Sequence, residues 1–506
     1  MNIRRATSNQ RRSPSVSVHS LAVLLILLWV FALINTAAAQ SEPVTWDPLI
    51  KLSTTEGGST YPAIAADLWG GLHVFWVQSE DQEAVGKDPM TAGNVIYYRA
   101  WDGESWTTPV DLFFSTDVSI YTYPFATVDA QGTLHLIWSG TDGLYYSSAP
   151  ANEASNAKAW KKAERIVQTS LMDQTWMVSD KSGGLHIVYT RRASGDNVYY
   201  IGSQDGGATW SAAIPISDLT TDDEQIVLRA RLALDSTDRL HAVWSKAGPP
   251  DWRGDQVFYA QSDNGGQDWS APVKLSDGED PTMWNAAPLI GSDSEDVLHI
   301  VWACGTSPHR CYKSSKDGGQ TWSGTQQIFG DLLSLAGWDA MAVDGYGNAW
   351  LMAQLRYPEA VYSSRLTNGR WSDPPQAVIT EGTLAGAHWP QMVVNEGNHL
   401  NVVLQDLVKG EICYMRGVTG FPHSEPMALP SPTPIPTDSP GTSTRATTEG
   451  SAAHVTTPTQ MPAGLQAADP MRQQLNMPVL ILMSIVPAIL LVGVVMITQL
   501  APRRRP

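Results

Sequence analysis

Ser203-Gln204-Asp205-Gly206-Gly207-Ala208-Thr209-Trp210 decides how this chain is read. It returns as Ser262-Asp263-Asn264-Gly265-Gly266-Gln267-Asp268-Trp269 and as Ser315-Lys316-Asp317-Gly318-Gly319-Gln320-Thr321-Trp322. The common pattern is Ser-x-Asp-x-Gly-x-x-Trp, with Asn264 once in place of Asp. Each copy follows an aromatic, β-like run and precedes another extended run, so it reads as a hairpin turn. An Asp or Asn side chain accepts backbone N–H groups a few residues on, and Gly supplies a positive φ. The Trp opens the next strand and covers the turn with its ring.

Working outward from these turns exposes a longer unit. Leu72-His73, Leu134-His135, Leu185-His186, Leu240-His241 and Leu298-His299 mark one strand of it, and Ala349-Trp350 and Leu400-Asn401 take the sixth and seventh places. Three residues after each His stands Trp76, Trp138, Tyr189, Trp244 or Trp302. Runs such as Val74-Phe75-Trp76 are apolar on both faces, as a strand between two neighbouring sheets must be. A tyrosine-rich strand follows each: Tyr97-Tyr98, Tyr145-Tyr146, Tyr199-Tyr200, Phe258-Tyr259, Cys311-Tyr312, Val361-Tyr362 and Cys413-Tyr414. A fixed period of this size is that of a propeller blade. The seventh unit lacks its last strand. Thr45-Trp46-Asp47-Pro48-Leu49-Ile50-Lys51-Leu52-Ser53 matches the closing strand pattern of Trp269-Ser270-Ala271-Pro272-Val273-Lys274-Leu275-Ser276. The expectation is an all-β, seven-bladed β-propeller over residues 41–420, with six blades as the runner-up. Its N-terminal strand completes the last blade and leaves no open edge.

The repeated turn resembles the Asp box, or BNR repeat, of the sialidase-like β-propellers. The resemblance covers about three-quarters of the chain and implies that Ser203, Asp205, Gly207 and Trp210, Ser262, Asn264, Gly266 and Trp269, and Ser315, Asp317, Gly319 and Trp322 are structural, on the outer turns away from a funnel-shaped site. It also implies a place to look for chemistry. Sialidases hold a substrate carboxylate with three Arg, and use a Tyr paired with an acid as nucleophile. Arg229, Arg231, Arg356, Asp222 and Asp223 are the candidates for such roles. The family's Arg-Ile-Pro motif is absent, and sialidases of this lineage are usually six-bladed, so no catalytic residue is assigned.

The entry to the innermost strand is aromatic in six of the seven units: Tyr61, Tyr123, Trp176, Trp284, Trp338 and Trp389. A ring of aromatics at a concave mouth suits stacking on sugar faces, and equally suits packing between blades. The five repeated His are expected to make a repeated hydrogen bond inside each blade. No Gly-rich phosphate loop, nucleophile elbow or metal-ligand cluster occurs, so neither a cofactor nor a metal is expected.

The chain has 506 residues and a formal net charge of −17. Seven arginines, four before residue 40 and three after residue 500, carry no acidic neighbours. Without them 26 basic residues face 50 acidic ones. So acidic a body disfavours nucleic acid as a partner. Residues 1–39 read as a secretory signal peptide, with an apolar run from Leu21 to Ile34 and Ala37-Ala38-Ala39 for cleavage; an uncleaved anchor is the alternative. Residues 421–476 are dominated by Pro, Ser, Thr and Ala, as in a stalk. Residues 477–500 are uncharged and long enough to span a bilayer, and 501–506 are a basic tail that would be cytoplasmic. Cysteine usage fits export, with a disulfide between Cys304 and Cys311 and a buried thiol at Cys413. The expectation is therefore a single-pass, cell-surface propeller with an extracytoplasmic body. It recognises a glycan or an extracellular protein at its funnel; the alternatives are an exo-sialidase-like glycoside hydrolase and a non-catalytic scaffold or adhesion protein.

Overall fold

The computed structural model describes residues 44–427 except 54–57, 79–94, 115–121, 171, 250–251, 253, 279–282, 307–308, 331, 333–338, 357–358, 374 and 381–386. Strands dominate it, and the helices among the described residues are two single turns of 3₁₀ helix, Ala151–Glu153 and Ala157–Ala159. The strands form seven antiparallel sheets, as the repeat count requires. Blade 1 comprises Ser59–Ala66, Leu72–Gln78, Val95–Trp101 and Val110–Phe114, and blades 2 to 5 repeat this order from Thr122, Met172, Ile226 and Trp284. Blade 6 starts at Asp339 and blade 7 at Ala387. In blade 7 the outer position is filled by Thr45–Trp46 and Ile50–Lys51, both paired with Glu411–Val418. The ring is thus closed by hydrogen bonds between the two ends of the domain. An ion pair from Arg416 to Asp47, 369 residues away in sequence, reinforces it.

Each second strand is sandwiched between neighbouring sheets, which explains its unbroken apolar sequence. Trp76, Trp138, Trp244 and Trp302 are fully buried there. The His that precedes each of them by three positions is equally buried and serves the predicted structural role. His186 Nδ1 lies 2.7 Å from the Tyr200 hydroxyl and its Nε2 lies 3.2 Å from Asp180. The same Asp–His–Tyr line occurs with Asp67, His73 and Tyr98, with Asp129, His135 and Tyr146, with Asp235, His241 and Tyr259, and with Asp293, His299 and Tyr312. Both imidazole nitrogens are thus satisfied, Nε2 by the carboxylate and Nδ1 by the tyrosine hydroxyl. The line has the members of a proton relay, but it is buried in the body of each blade.

The Asp boxes join these lines from blade to blade. In the first box the Ser203 hydroxyl donates to Asp205 Oδ1 at 2.8 Å, and Asp205 accepts from the N–H and hydroxyl of Thr209. Those hydrogen bonds hold the Asp205 carboxyl down to about 2. Tyr146 of the preceding blade reaches the carbonyl of Gly206 at 3.1 Å, and Trp210 packs edge-on against the same tyrosine. Gly207 has φ +86°, and a Cβ there would fall 2.1 Å from the Tyr146 hydroxyl, so only glycine fits. Tyr200 meets Gly265 and Trp269 in the same way, and Tyr259 meets Gly318 and Trp322. Degraded turns keep the ring contact: Trp160 against Tyr98, Trp371 against Tyr312 and Trp106 against Tyr414. The seam from blade 6 to blade 7 differs. By register with the other blades, Ser363 stands in the tyrosine position and Trp350 in the histidine position.

The expected disulfide joins Cys304 to Cys311 across the hairpin of blade 5, and Cys413 is a buried free thiol.

One group of expectations is corrected. Among the described residues no helix is long and apolar enough to cross a membrane, and every described element beyond the two 3₁₀ turns is a strand. The membrane-spanning helix expected over 477–500 lies outside the described residues, as do 1–39, 428–476 and 501–506. The membrane anchor, the membrane as partner, and the single-pass topology with a cytoplasmic C-terminus are therefore not carried further. Residues 421–427, grouped with the stalk by composition, lie on the propeller. Ser424 N–H donates to the Glu396 carbonyl and Met427 N–H to that of Leu68.

Candidate functional site

The start of each inner strand, the end of the second strand and the start of the third lie at one end of a blade, while the Asp boxes follow the third strand and lie at the other. The predicted candidates therefore gather on the face opposite the Asp boxes.

At the start of the inner strand the ladder is interrupted in the same way around the ring. The register shifts between Thr60 and Ala63, Thr122 and Phe125, Leu228 and Arg231, Ala286 and Leu289, and His388 and Gln391. Within these bulges Tyr61, Tyr123, Arg229, Ala287 and Trp389 all have positive φ, between 48° and 55°. In four of the five the next residue is proline: Pro62, Pro124, Pro288 and Pro390. Proline has no N–H to leave unpaired where the ladder breaks. A non-glycine residue in this region carries about 1 kcal/mol of strain. Of these side chains, Tyr61, Tyr123 and Trp389 line the pocket at the mouth.

Counting from the paired histidine position, the residues equivalent to Tyr61 are Tyr123, Gln174, Arg229, Ala287 and Trp389. Three of the six expected aromatics thus occupy the mouth position and touch one another. Tyr61 stacks on Trp389 at 4.5 Å and lies 4.5 Å from Tyr123. Trp176 sits two residues deeper, against Phe125 at 4.1 Å, and still lines the mouth pocket. Trp284 opens the inner strand of blade 5, three residues before Ala287. Trp338 lies outside the described residues.

Below the aromatics the pocket continues into an axial channel of about 370 Å³, lined by Phe125, Trp176, Arg231, Leu289, Asp339 and Gln391 among others. Its charged lining residues, Arg231 and Asp339, come from blades 4 and 6. Asp173, in the bulge of blade 3, is 2% exposed and binds Arg192 Nε at 3.0 Å, while the Arg192 side chain is 62% exposed. The second Asp173 oxygen is buried with no hydrogen-bond partner among the described residues. Asp173 raises the pKa of Arg192. Arg231 lies 4.5 Å over the Trp176 ring and donates to Gln174 Oε1 at 2.8 Å. Burial, and then the nearby Arg229, push its guanidinium down to about 10. Burial lowers Arg229 too, against the pull of Asp173. The Tyr123 hydroxyl is raised by burial first and by Asp173 next, and it is hydrogen-bonded to Tyr61. Arg192 thus pairs directly with Asp173, and the buried Arg229 and Arg231 lie within reach of its charge.

Of the predicted residues, the structure brings Arg229 and Arg231 to this cluster. Asp223 is elsewhere, accepting from the Thr220 N–H and hydroxyl in a surface turn, with exposed Asp222 beside it. Arg356 ends the second strand of blade 6, in register with Glu359. Sequence reasoning missed Asp173, Gln174, Arg310 and Asp339. Arg310, on the third strand of blade 5, makes a two-pronged ion pair with Asp339 at the channel wall; the two side chains are 0% and 4% exposed. Aligning blade 3 from its paired His186, instead of from the nearest aromatic, would have found Asp173 and Gln174 at the mouth.

The sequence matches no protein-family model and no curated protein. Solved structures do resemble the fold. A polysaccharide lyase, an ulvan lyase, is 11% identical, with 72% of this chain and 95% of that chain covered at a TM-score of 0.50. A protein of unknown function from Dyadobacter fermentans is 14% identical over 74% and 99% of the two chains, at 0.48. The intramolecular trans-sialidase from Ruminococcus gnavus is 12% identical over 77% and 99%, at 0.41. At these identities the likeness to the ulvan lyase is one of fold, a β-propeller.

Proposed function

We propose that the funnel of this propeller binds an acidic saccharide and cleaves a glycosidic bond beside the acidic group. The observation that carries the proposal is that Arg192, Arg229 and Arg231 all lie within electrostatic reach of Asp173, and Arg192 and Arg229 of Tyr123, whose ring packs against Tyr61 and Trp389. Planar guanidinium groups match carboxylate and sulfate oxygens in pairs, and aromatic rims take the apolar faces of sugar rings. The strained backbone at Tyr61, Tyr123 and Arg229 fits a preorganised site. The ulvan lyase fold relative has -[GlcA(1-4)Rha3S]- bound in one structure, a ligand of the charge this funnel would accept. Tyr123, with its hydroxyl kept protonated by burial, is the group placed to exchange a proton with the bond that breaks, and Asp173 orients the arginines around it.

Recognition without turnover is the second reading. It is favoured by the state of Asp339: the other acid of the channel is engaged by Arg310, so a free pair of carboxylates of the usual glycosidase kind is not formed by these two residues.

The test is incubation of the purified protein with uronic-acid and sulfated polysaccharides and with a fluorogenic sialoside, following reducing ends, unsaturated products and released fluorophore. Cleavage that disappears in Tyr123→Phe while binding persists supports the enzyme. Binding without cleavage, lost in Arg229→Met, supports recognition. Absence of both binding and cleavage with every acidic glycan overturns the proposal.

A further inference from the structure

On the opposite face, where the inner and second strands of blade 7 are joined, three metal-ligating side chains converge with no part in the funnel. Glu396 lies in that turn, with φ +50°. His399 begins the second strand. His423 comes from the segment that runs on past the last strand. Glu396 Oε2 lies 2.7 Å from His399 Nδ1 and 3.6 Å from His423 Nδ1, and the three ligand atoms all lie within 4.8 Å of one another. We propose that Glu396, His399 and His423 bind one divalent transition-metal ion of the zinc class, and that this ion fastens residues 419–427 across the face of the ring.

The donor set selects the metal. Two imidazoles and one carboxylate suit Zn²⁺, Co²⁺ or Ni²⁺, whereas Ca²⁺ and Mg²⁺ require mostly oxygen. Bonds of about 2.0–2.1 Å in a tetrahedron place ligand atoms about 3.4 Å apart. The 3.6 Å separation already meets this, and the 2.7 Å one, now a hydrogen bond, has to open by less than about 1 Å. Hydrogen bonds on both sides of His423 hold the segment without metal: the Asn398 side-chain Nδ2 donates to the Phe421 carbonyl at 3.0 Å, and Ser424 N–H donates to the Glu396 carbonyl at 2.8 Å.

The location gives the site a purpose. The segment spans three blades. Phe421 stacks on Tyr346 and under the Arg365 guanidinium of blade 6, Ser424 meets blade 7, and Met427 meets Leu68 of blade 1. It therefore crosses the seam between blades 6 and 7, the one where Ser363 replaces the tyrosine that elsewhere meets the next blade's tryptophan. A metal on His423 would tie to blade 7 the segment whose Phe421 packs on Tyr346 and Arg365 of blade 6, across the seam that lacks the tyrosine.

The experiment is calorimetric titration of the purified, chelator-stripped protein with ZnCl₂ alone, and with CaCl₂ as the contrasting ion. One equivalent of Zn²⁺ should bind, Ca²⁺ should not, and His423→Ala and Glu396→Gln should each weaken Zn²⁺ binding by roughly a hundredfold. Zn²⁺ should also raise Tm and slow proteolysis after residue 427 in the wild type and in neither variant. His423 is 41% exposed on a surface segment, so its removal leaves the ring folded; His399→Asn gives an independent check. Zinc affinity unchanged in His423→Ala, or no saturable zinc binding by the wild type, would overturn the proposal.

Discussion

Arg310→Met is the sharpest test of how the funnel is held together. Arg310 and Asp339 are buried at 0% and 4% exposure and belong to different blades. Removing the guanidinium leaves a carboxylate at the channel wall without its fork of donors, and breaking a buried pair in this way costs about 3–5 kcal/mol. Replacing both partners in Arg310→Met/Asp339→Leu removes the stranded charge. The double variant should then lie within about 1 kcal/mol of the wild type, because an apolar pair of similar volume avoids the desolvation of two ions. The double variant should therefore be more stable than Arg310→Met by about 2–4 kcal/mol, the cost of the stranded carboxylate between blades 5 and 6. Urea denaturation reads it as a shift of midpoint at constant slope. A single variant costing less than about 1 kcal/mol, or a double variant as unstable as the single one, would refute the account of this pair as a buried inter-blade ion pair.

Further outcomes are expected elsewhere. Tyr200→Phe removes a hydroxyl lying between His186 Nδ1 and the Gly265 carbonyl and should cost about 1–3 kcal/mol. Tyr145→Phe, whose hydroxyl reaches the half-exposed Asp142, should cost far less by the same denaturation assay. His186, His241 and His299 are all lowered, by burial first. The unfolded chain therefore takes up protons before the folded one. Stability from this source is complete above about pH 6.5 and falls as pH drops through the lower folded values; a Tm that stays level from pH 7.5 to pH 5 would contradict it. Asp173→Asn should bring the Tyr123 hydroxyl down toward its ordinary range, since Asp173 is its main charged cause of elevation, and spectrophotometric titration of tyrosinate would show it. Cys304→Ala/Cys311→Ala opens a loop with a sequence separation of 7 and should lower stability by about 2.5 kcal/mol.

The propeller was legible because its framework repeats. Leu-His, Tyr and Asp-box positions recur since every blade solves one packing problem with the same Asp–His–Tyr–Trp contacts, and Trp46 with its neighbours is recognisable as the strand that blade 7 lacks. The funnel was legible only in part. Tyr61, Tyr123 and Trp389 were picked out because an aromatic recurs at the entry to the inner strand, and Arg229 and Arg231 because they interrupt that recurrence. Asp173 was missed because Trp176, two residues deeper than the mouth position, attracted the alignment in blade 3. Arg310 and Asp339 were missed for a different reason. Their contact joins a third strand to the inner strand of the next blade, and neither residue recurs in the other units. Periodicity records what every blade needs, whereas a binding site is assembled from the departures.

The closing of the ring by Thr45–Trp46 and Ile50–Lys51 sets the order in which the molecule can be made. The ion pair between Asp47 and Arg416 spans 369 residues, and closing so long a loop costs about 5 kcal/mol of chain entropy before any contact repays it. Blades 1 to 6 are each complete within a continuous stretch and can form as they emerge from the ribosome. Blade 7 has to wait for both ends. Its edge remains unpaired and adhesive until the last strand arrives, so this seam is where a strand from a second molecule could be captured in place of the chain's own.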